Sequence, residues 1–200
     1  MLERLSQSAT SLLDIEKITR MILSEVRNTL HIEHGAILIK HFESGDFRVI
    51  AEDAEKKHFP IGFRVDHPIV TWMSRQKQPL LNRDLSLVPI FKSMWKEEKD
   101  ELEKFNPEIF LPLISKGELI GILVLGKKLS SQPYTQDEQL IFSTLANQTA
   151  VAIENARLYD ELRASFVQSV TALANAIDIR DTYTNTHSQQ IANWAAKTAR

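Results

Sequence analysis

Glu108-Ile109-Phe110-Leu111-Pro112-Leu113-Ile114-Ser115-Lys116-Gly117-Glu118-Leu119-Ile120-Gly121-Ile122-Leu123-Val124-Leu125 decides the fold. It holds two apolar runs of strand length on either side of Ser115-Lys116-Gly117-Glu118, which reads as a turn joining antiparallel strands. Pro112 has no N–H for a ladder, so an edge position or a bulge is expected in the first run. Upstream, Gly35-Ala36-Ile37-Leu38-Ile39-Lys40 and Phe47-Arg48-Val49-Ile50-Ala51 flank Glu43-Ser44-Gly45-Asp46 and predict a second hairpin. Between the hairpins, His67-Pro68-Ile69-Val70-Thr71-Trp72-Met73 predicts a short helix with proline in its first turn. Pro79-Leu80-Leu81-Asn82 then reads as an edge strand. From Pro89 to Phe105, Ile90, Phe91, Met94, Trp95, Leu102 and Phe105 recur at helical spacing. Lys96, Glu97, Glu98, Lys99 and Asp100 beside them read as a solvated face.

Helices bracket this pattern. Leu2, Leu5, Ala9, Leu12 and Leu13 form one stripe, and Asp14 can cap a second helix with Ile15, Ile18, Ile22, Val26 and Leu30 inward, the pair being two helices or one broken one. After Pro133, Thr135-Gln136-Asp137-Glu138 is a capping box. It starts a helix free of proline and glycine through Tyr159 and on toward Ile179, with Ile141, Leu145 and Ile153 covering the sheet. The order of elements is α+β: an antiparallel sheet flanked by helices, with a long C-terminal helix.

Composition removes several functions. A net charge of −2 offers no broad basic surface, so no nucleic acid duplex is expected as partner. With no cysteine, disulfides, thiolate metal sites and cysteine-linked chromophores are excluded. No apolar run approaches the roughly 20 residues that span a bilayer, and the N-terminus does not read as a secretion signal. The expectation is a cytoplasmic chain with no membrane partner.

The hairpin quoted above, followed by Tyr134-Thr135-Gln136-Asp137-Glu138 and by Leu145-Ala146-Asn147-Gln148-Thr149-Ala150-Val151-Ala152-Ile153-Glu154-Asn155-Ala156, resembles the C-terminal half of a GAF domain. GAF domains are regulatory modules that bind cyclic nucleotides, tetrapyrroles, haem or small metabolites, or nothing. The resemblance implies a sensor for an unidentified small-molecule effector. The Asn-Lys-x-Phe-Asp-Glu signature of cyclic-nucleotide GAF domains does not occur, which lowers that option. The pocket expected in this fold lies between the sheet and the segment from about Phe59 to Phe110. Phe63, Trp72, Phe91, Trp95 and Phe110 are its candidate aromatic walls, and His58, His67, Arg64 and Arg83 are candidates to read a polar or anionic group. Ordinary core packing is the competing reading for each aromatic. His67-Pro68 is the best placed of six histidines for a haem iron, a minor option.

Along the long helix, Leu145, Ala152, Tyr159, Phe166 and Leu173 recur every seven residues. Thr149, Ala156, Val170 and Ile177 follow four positions later, interrupted at Arg163. Past Tyr159, Leu162, Phe166 and Val170 have no domain left to cover. A parallel homodimer through helices, with Tyr159, Leu162, Phe166, Val170 and Leu173 as its seam, is the expected solution.

The final segment holds Ala176-Ile177-Asp178-Ile179-Arg180-Asp181-Thr182-Tyr183-Thr184-Asn185-Thr186-His187-Ser188. Ser188 is a possible N-cap for a helix carrying Ile191, Trp194, Ala195 and Thr198. Ala172 to Arg200 resembles the first two helices of HD-GYP cyclic-di-GMP phosphodiesterases. The resemblance implies that His187 is the first ligand of a divalent-metal centre. Tyr183 stands where three-metal members carry a carboxylate, so it implies two metals. No His-Asp dipeptide occurs in the chain, and one histidine cannot assemble a hydrolytic centre. This chain alone is therefore expected to have no catalytic residue and no activity, the divalent metal belonging to a longer parent. The expected organisation is an N-terminal helix at 1–13, a GAF sensor at 14–160, a signalling linker at 161–171 and an HD-GYP-like start at 172–200. The function expected is regulation of an HD-GYP-type phosphodiesterase. The alternative is a ligand-free or ligand-binding dimerisation module feeding a kinase, a cyclase or a degenerate HD domain.

Overall fold

The central strands are near-continuous apolar runs, and because successive side chains point to opposite faces, the sheet must be covered on both. The computed structural model describes residues 2–54, 61–180 and 187–198, and side chains over 15–53, 61–176 and 190–196. Helix α1 (Leu2–Leu30) leads into β1 (His34–Lys40), β2 (Phe47–Ala54), β3 (Gly62–Phe63), α2 (Pro68–Gln76) and β4 (Leu80–Leu81). Two 3-10 turns, Asn82–Ser86 and Pro89–Ser93, precede α3 (Lys96–Phe105), β5 (Ile109–Ser115), β6 (Glu118–Leu125), α4 (Gln136–Arg180) and α5 (His187–Thr198). The chain divides into two compact units, Met1–Ala156 and Arg157–Arg200.

The sheet is antiparallel throughout, in the order β3-β2-β1-β6-β5-β4. Both edges are two-residue strands, too short to template pairing with another chain. Pro112 is not on the edge strand. β4 pairs only with Ile109 and Phe110, so nothing on that flank needs the missing N–H, and a register shift follows between Leu113 and Ile114. The β5–β6 turn places Lys116 and Gly117 at φ of 50° and 80°, the two positive values of a type I′ hairpin.

One face is built by helices. Ile109, Leu111 and Leu113 of β5, with Leu123 and Leu125 of β6, pack under Ile15, Leu23 and Val26 of α1 and Phe142, Ala146, Ala150 and Ile153 of α4. The capping box forms as read: Glu138 N–H donates to Thr135 Oγ1 at 3.2 Å, and Thr135 N–H to Glu138 Oε2 at 2.7 Å. Three details differ from the sequence reading. Helix α1 continues through Asp14 without a break. Its inward stripe runs Ile15, Thr19, Leu23, Val26, with Ile18 only half-buried; Thr19 is tolerated because its hydroxyl donates to Ile15 O at 2.7 Å. Ile141 is exposed, and the neighbouring Phe142 is the buried residue.

The opposite face is covered by the short segments between β3 and β5, here termed the cap. Ala36, Leu38, Phe47, Phe110, Ile122 and Val124 of the sheet meet Ile69, Val70 and Met73 of α2, Phe91, and Leu102 and Phe105 of α3. The predicted helix from Pro89 to Phe105 is split. Met94 and Trp95 adopt extended ψ values of 137° and 160°, which end the 3-10 turn and start α3 afresh.

In the second unit, Tyr159, Leu162, Phe166 and Leu173 are 65–69% exposed, and Val170 is about half exposed. Helix α5 starts at His187, one residue before the expected cap Ser188 allows. The side chain of His187 lies outside the described residues.

Candidate functional site

The cap is held at both ends by polar clamps. At the C-terminal end of α3, the buried His34 ring donates from Nε2 to Phe105 O at 2.6 Å and stands edge-on to the Phe105 ring, centroids 4.8 Å apart. Asn106, with φ of 53°, closes the helix in the left-handed region. At the N-terminal end, Glu98 reaches back one turn, and its Oε2 accepts the Trp95 N–H at 2.7 Å. This satisfies one of the N–H groups that an α-helix leaves open at its start. The other oxygen, Oε1, accepts from Arg64 Nε at 2.7 Å, across 34 residues of sequence. Glu98 was expected on a solvated face; its side chain is only 11% exposed, and the sequence reading missed it.

Arg64 follows β3 directly and joins several groups. Its Nη1 pairs with Asp66 at 2.5 Å, and its guanidinium carbon sits 4.1 Å above the centre of the Trp95 ring. Asp46 of the first hairpin accepts the Val65 N–H at 3.1 Å, which fixes the loop carrying Arg64.

His67 caps α2. Its Nδ1 accepts the Ile69 N–H at 3.1 Å, and Pro68 takes the first helical position. The ring is fully buried, 4.7 Å from Phe63, with Nε2 3.7 Å from Glu98 Oε2 and no hydrogen-bond partner. Burial pushes the imidazole down to about 4; the Glu98 carboxylate opposes this and Arg64 adds to it. For Glu98, burial works upward, but the Arg64 hydrogen bond and the Trp95 N–H outweigh it and hold the carboxyl below its ordinary value.

The sequence-predicted aromatics separate into two groups. Phe63, Phe91 and Phe110 are buried, and Trp72 is half-buried; Phe63 lies 6.3 Å from Phe110, and Trp72 6.2 Å from Phe91. These four line one apolar layer under the cap. Trp95 does not join them: it is 59% exposed and forms the outer cover of Arg64. Of the predicted polar readers, Arg64 and His67 come together, and Arg83 is exposed beside Asp84. His58 lies outside the described residues. Among the described residues no group of three or more His, Asp or Glu side chains could hold a metal ion, so they supply no metal centre of their own.

A six-stranded antiparallel sheet with two flanking helices on one side and an irregular cap on the other is the arrangement expected of a GAF domain, and residues 13–154 match the GAF domain family model. The chain belongs to the GAF-domain family. It is 28% identical over 166 residues to diguanylate cyclase A of Treponema denticola, a match covering 78% of this chain and 43% of the cyclase. The chain thus spans less than half the length of that relative. Among solved structures it resembles a GAF domain/HD domain protein from Geobacter sulfurreducens, with a TM-score of 0.60 and 16% identity over 74% of this chain and 96% of that one. It also resembles the blue-light-absorbing form of the PixJ GAF domain of Thermosynechococcus elongatus, with a TM-score of 0.59 and 14% identity over 80% and 96%. At these identities the two structures speak for the GAF fold alone. Among the described residues no helix is long and apolar enough to cross a membrane.

Proposed function

We propose that this GAF domain is the sensor of a cytoplasmic bacterial signalling protein and binds a small-molecule effector under the cap. The observation that carries this reading is the polar cluster of fully buried His67, largely buried Glu98 and partly exposed Arg64, beside an apolar aromatic layer. Effector binding to one arrangement of the cap shifts the population of conformations, and α4 is the element that leaves the domain toward an output.

The output proposed is an HD-GYP-type phosphodiesterase acting on cyclic di-GMP. Supporting this are the HD-GYP-like residues from Ala172 to Arg200 and His187 at the first position of α5. In that reading His187 would hold one position of a divalent metal centre, whose chemistry would be activation of water and whose other ligands are not in this sequence. The second reading is a cyclase output, supported by the Treponema relative. Assays of the full-length protein separate them. Hydrolysis of cyclic di-GMP that is lost in His187→Ala supports the first, and synthesis of cyclic di-GMP from GTP supports the second.

A parallel homodimer through the helices completes the proposal. Tyr159, Leu162, Phe166, Val170 and Leu173 form an apolar stripe on α4 that pairing would bury. Phe166→Asp is expected to convert the dimer to monomer in light scattering with the melting midpoint of the GAF unit unchanged. An unaltered mass would place the interface elsewhere.

A further inference from the structure

Three hydrogen-bond donors converge on one carboxylate in the cap, and that carboxylate reaches two of them. Arg64 Nε and the Trp95 N–H each donate to Glu98 at 2.7 Å. The third donor is His67. Because its Nδ1 accepts the Ile69 N–H, the neutral ring must carry its proton on Nε2. That N–H is fully buried, has no acceptor within bonding distance, and lies 3.7 Å from Glu98 Oε2. Buried donors left without an acceptor are rare and call for an explanation, such as a ligand that completes them. The geometry explains why Glu98 falls short. Its carboxylate is tied to the first turn of α3, three residues from Trp95, and its own backbone limits its reach. A free carboxylate carries no such tether. Asp66 holds the other side of the guanidinium, so Arg64 keeps its orientation when Glu98 leaves.

We propose that Arg64 Nε, the Trp95 N–H and His67 Nε2–H form the receiving site for the carboxylate group of a small-molecule effector, and that Glu98 is an internal stand-in occupying it in the free protein. This rests on the sensory reading above and supplies its ligand class. The effector takes both bonds now made by Glu98 and adds the one to His67. Glu98 then turns to solvent beside the exposed Trp95 ring, and the effector carboxylate replaces it as the acceptor at the start of α3. A planar two-oxygen anion matches the site because each oxygen of the present occupant already meets a different donor.

The test is a long-range 1H–15N titration of the whole 200-residue chain with labelled histidine. The probes are sodium acetate, sodium phosphate and, as a neutral isostere, acetamide. Acetate is expected to shift the His67 Nε2 resonance and acetamide to leave it in place. In Glu98→Gln, which keeps the shape of the stand-in but not its charge, acetate is expected to bind about tenfold more tightly. Adding Arg64→Gln to that variant should abolish the response. If Glu98→Gln does not fold, Glu98→Ala, which removes the competing carboxylate altogether, serves the same purpose. Equal affinity in wild type and variant, an unmoved His67 signal, or a response that survives Arg64→Gln would overturn the proposal, and tighter binding of phosphate would overturn its carboxylate class. Co-purification of an effector that leaves His67 unmoved would sink this site while the sensory reading stands. An acetate-bound His67 with no change in the full-length protein's output would confirm the site and sink the sensory reading.

Discussion

The two faces of the GAF sheet are equally apolar but are covered in opposite ways. Behind the sheet, α1 and α4 lay down Leu23, Val26, Phe142, Ala146 and Ile153 in regular helical rows, with Thr19 bonded back to its own backbone. In front, two 3-10 turns and two helices of 9 and 10 residues cover the sheet, and a charged cluster sits among them. Long helices bury apolar surface with most of their backbone bonds made internally and few ends to satisfy. Short segments leave chain ends that side chains such as His67 and Glu98 must satisfy. The first design gives a rigid support; the second gives a cover whose ends are held by a few replaceable bonds, which suits an effector site.

The sharpest way to break this contrast is to damage the support. Phe142→Ala is expected to destabilise the domain by about 3–5 kcal/mol in urea unfolding, because the ring is buried between α4 and the sheet. The His67 resonances of the molecules that remain folded should stay in place.

Acid attacks the cap instead. His67 is held at about 4 against an ordinary value near 6.5, so between these values the unfolded chain binds the extra proton. Stability contributed by the neutral ring is present above pH ~6.5 and is lost as pH falls toward 4, by on the order of 3 kcal/mol. Glu98, held low, loses its contribution only as pH falls further below the ordinary carboxylate value, in the same direction. His67→Asn keeps an N-cap acceptor for α2 and should flatten the upper part of that profile in thermal melts. An unchanged slope would show that another group carries it.

The smallest effect sharpens the contrast from the support side. Thr135→Ala removes half of the capping box and should cost about 1 kcal/mol, read as a lower urea midpoint with unchanged slope.

The support was legible in the sequence, and the cap was legible only in part. The apolar runs Ile109–Ile114 and Leu119–Leu125 either side of a turn and the Thr135–Glu138 box are local signals, and each formed as read. Helix phase was harder: a threonine that satisfies itself passes for a polar break, so Ile18 was favoured over Thr19 and Leu23. In the cap, Trp95 lies at helical spacing from Phe91 and Leu102, yet it sits extended so that its N–H can meet Glu98. The only local hint was a glutamate three residues after it, without the usual Ser, Thr or Asp ahead. The Arg64–Glu98 bond spans 34 residues and leaves no periodic trace at all. Arg64 and His67 were both named from the sequence and the fold brings them together, whereas their acidic partner was hidden in a run of charges.

Native-state hydrogen exchange of the unliganded chain tests the central contrast most directly. The account predicts that amides of the cap, residues 64–105, exchange through a local opening of lower free energy than amides of β1, β6 and the sheet-covering turns of α4, which exchange only on global unfolding. Uniform protection across both faces would contradict it.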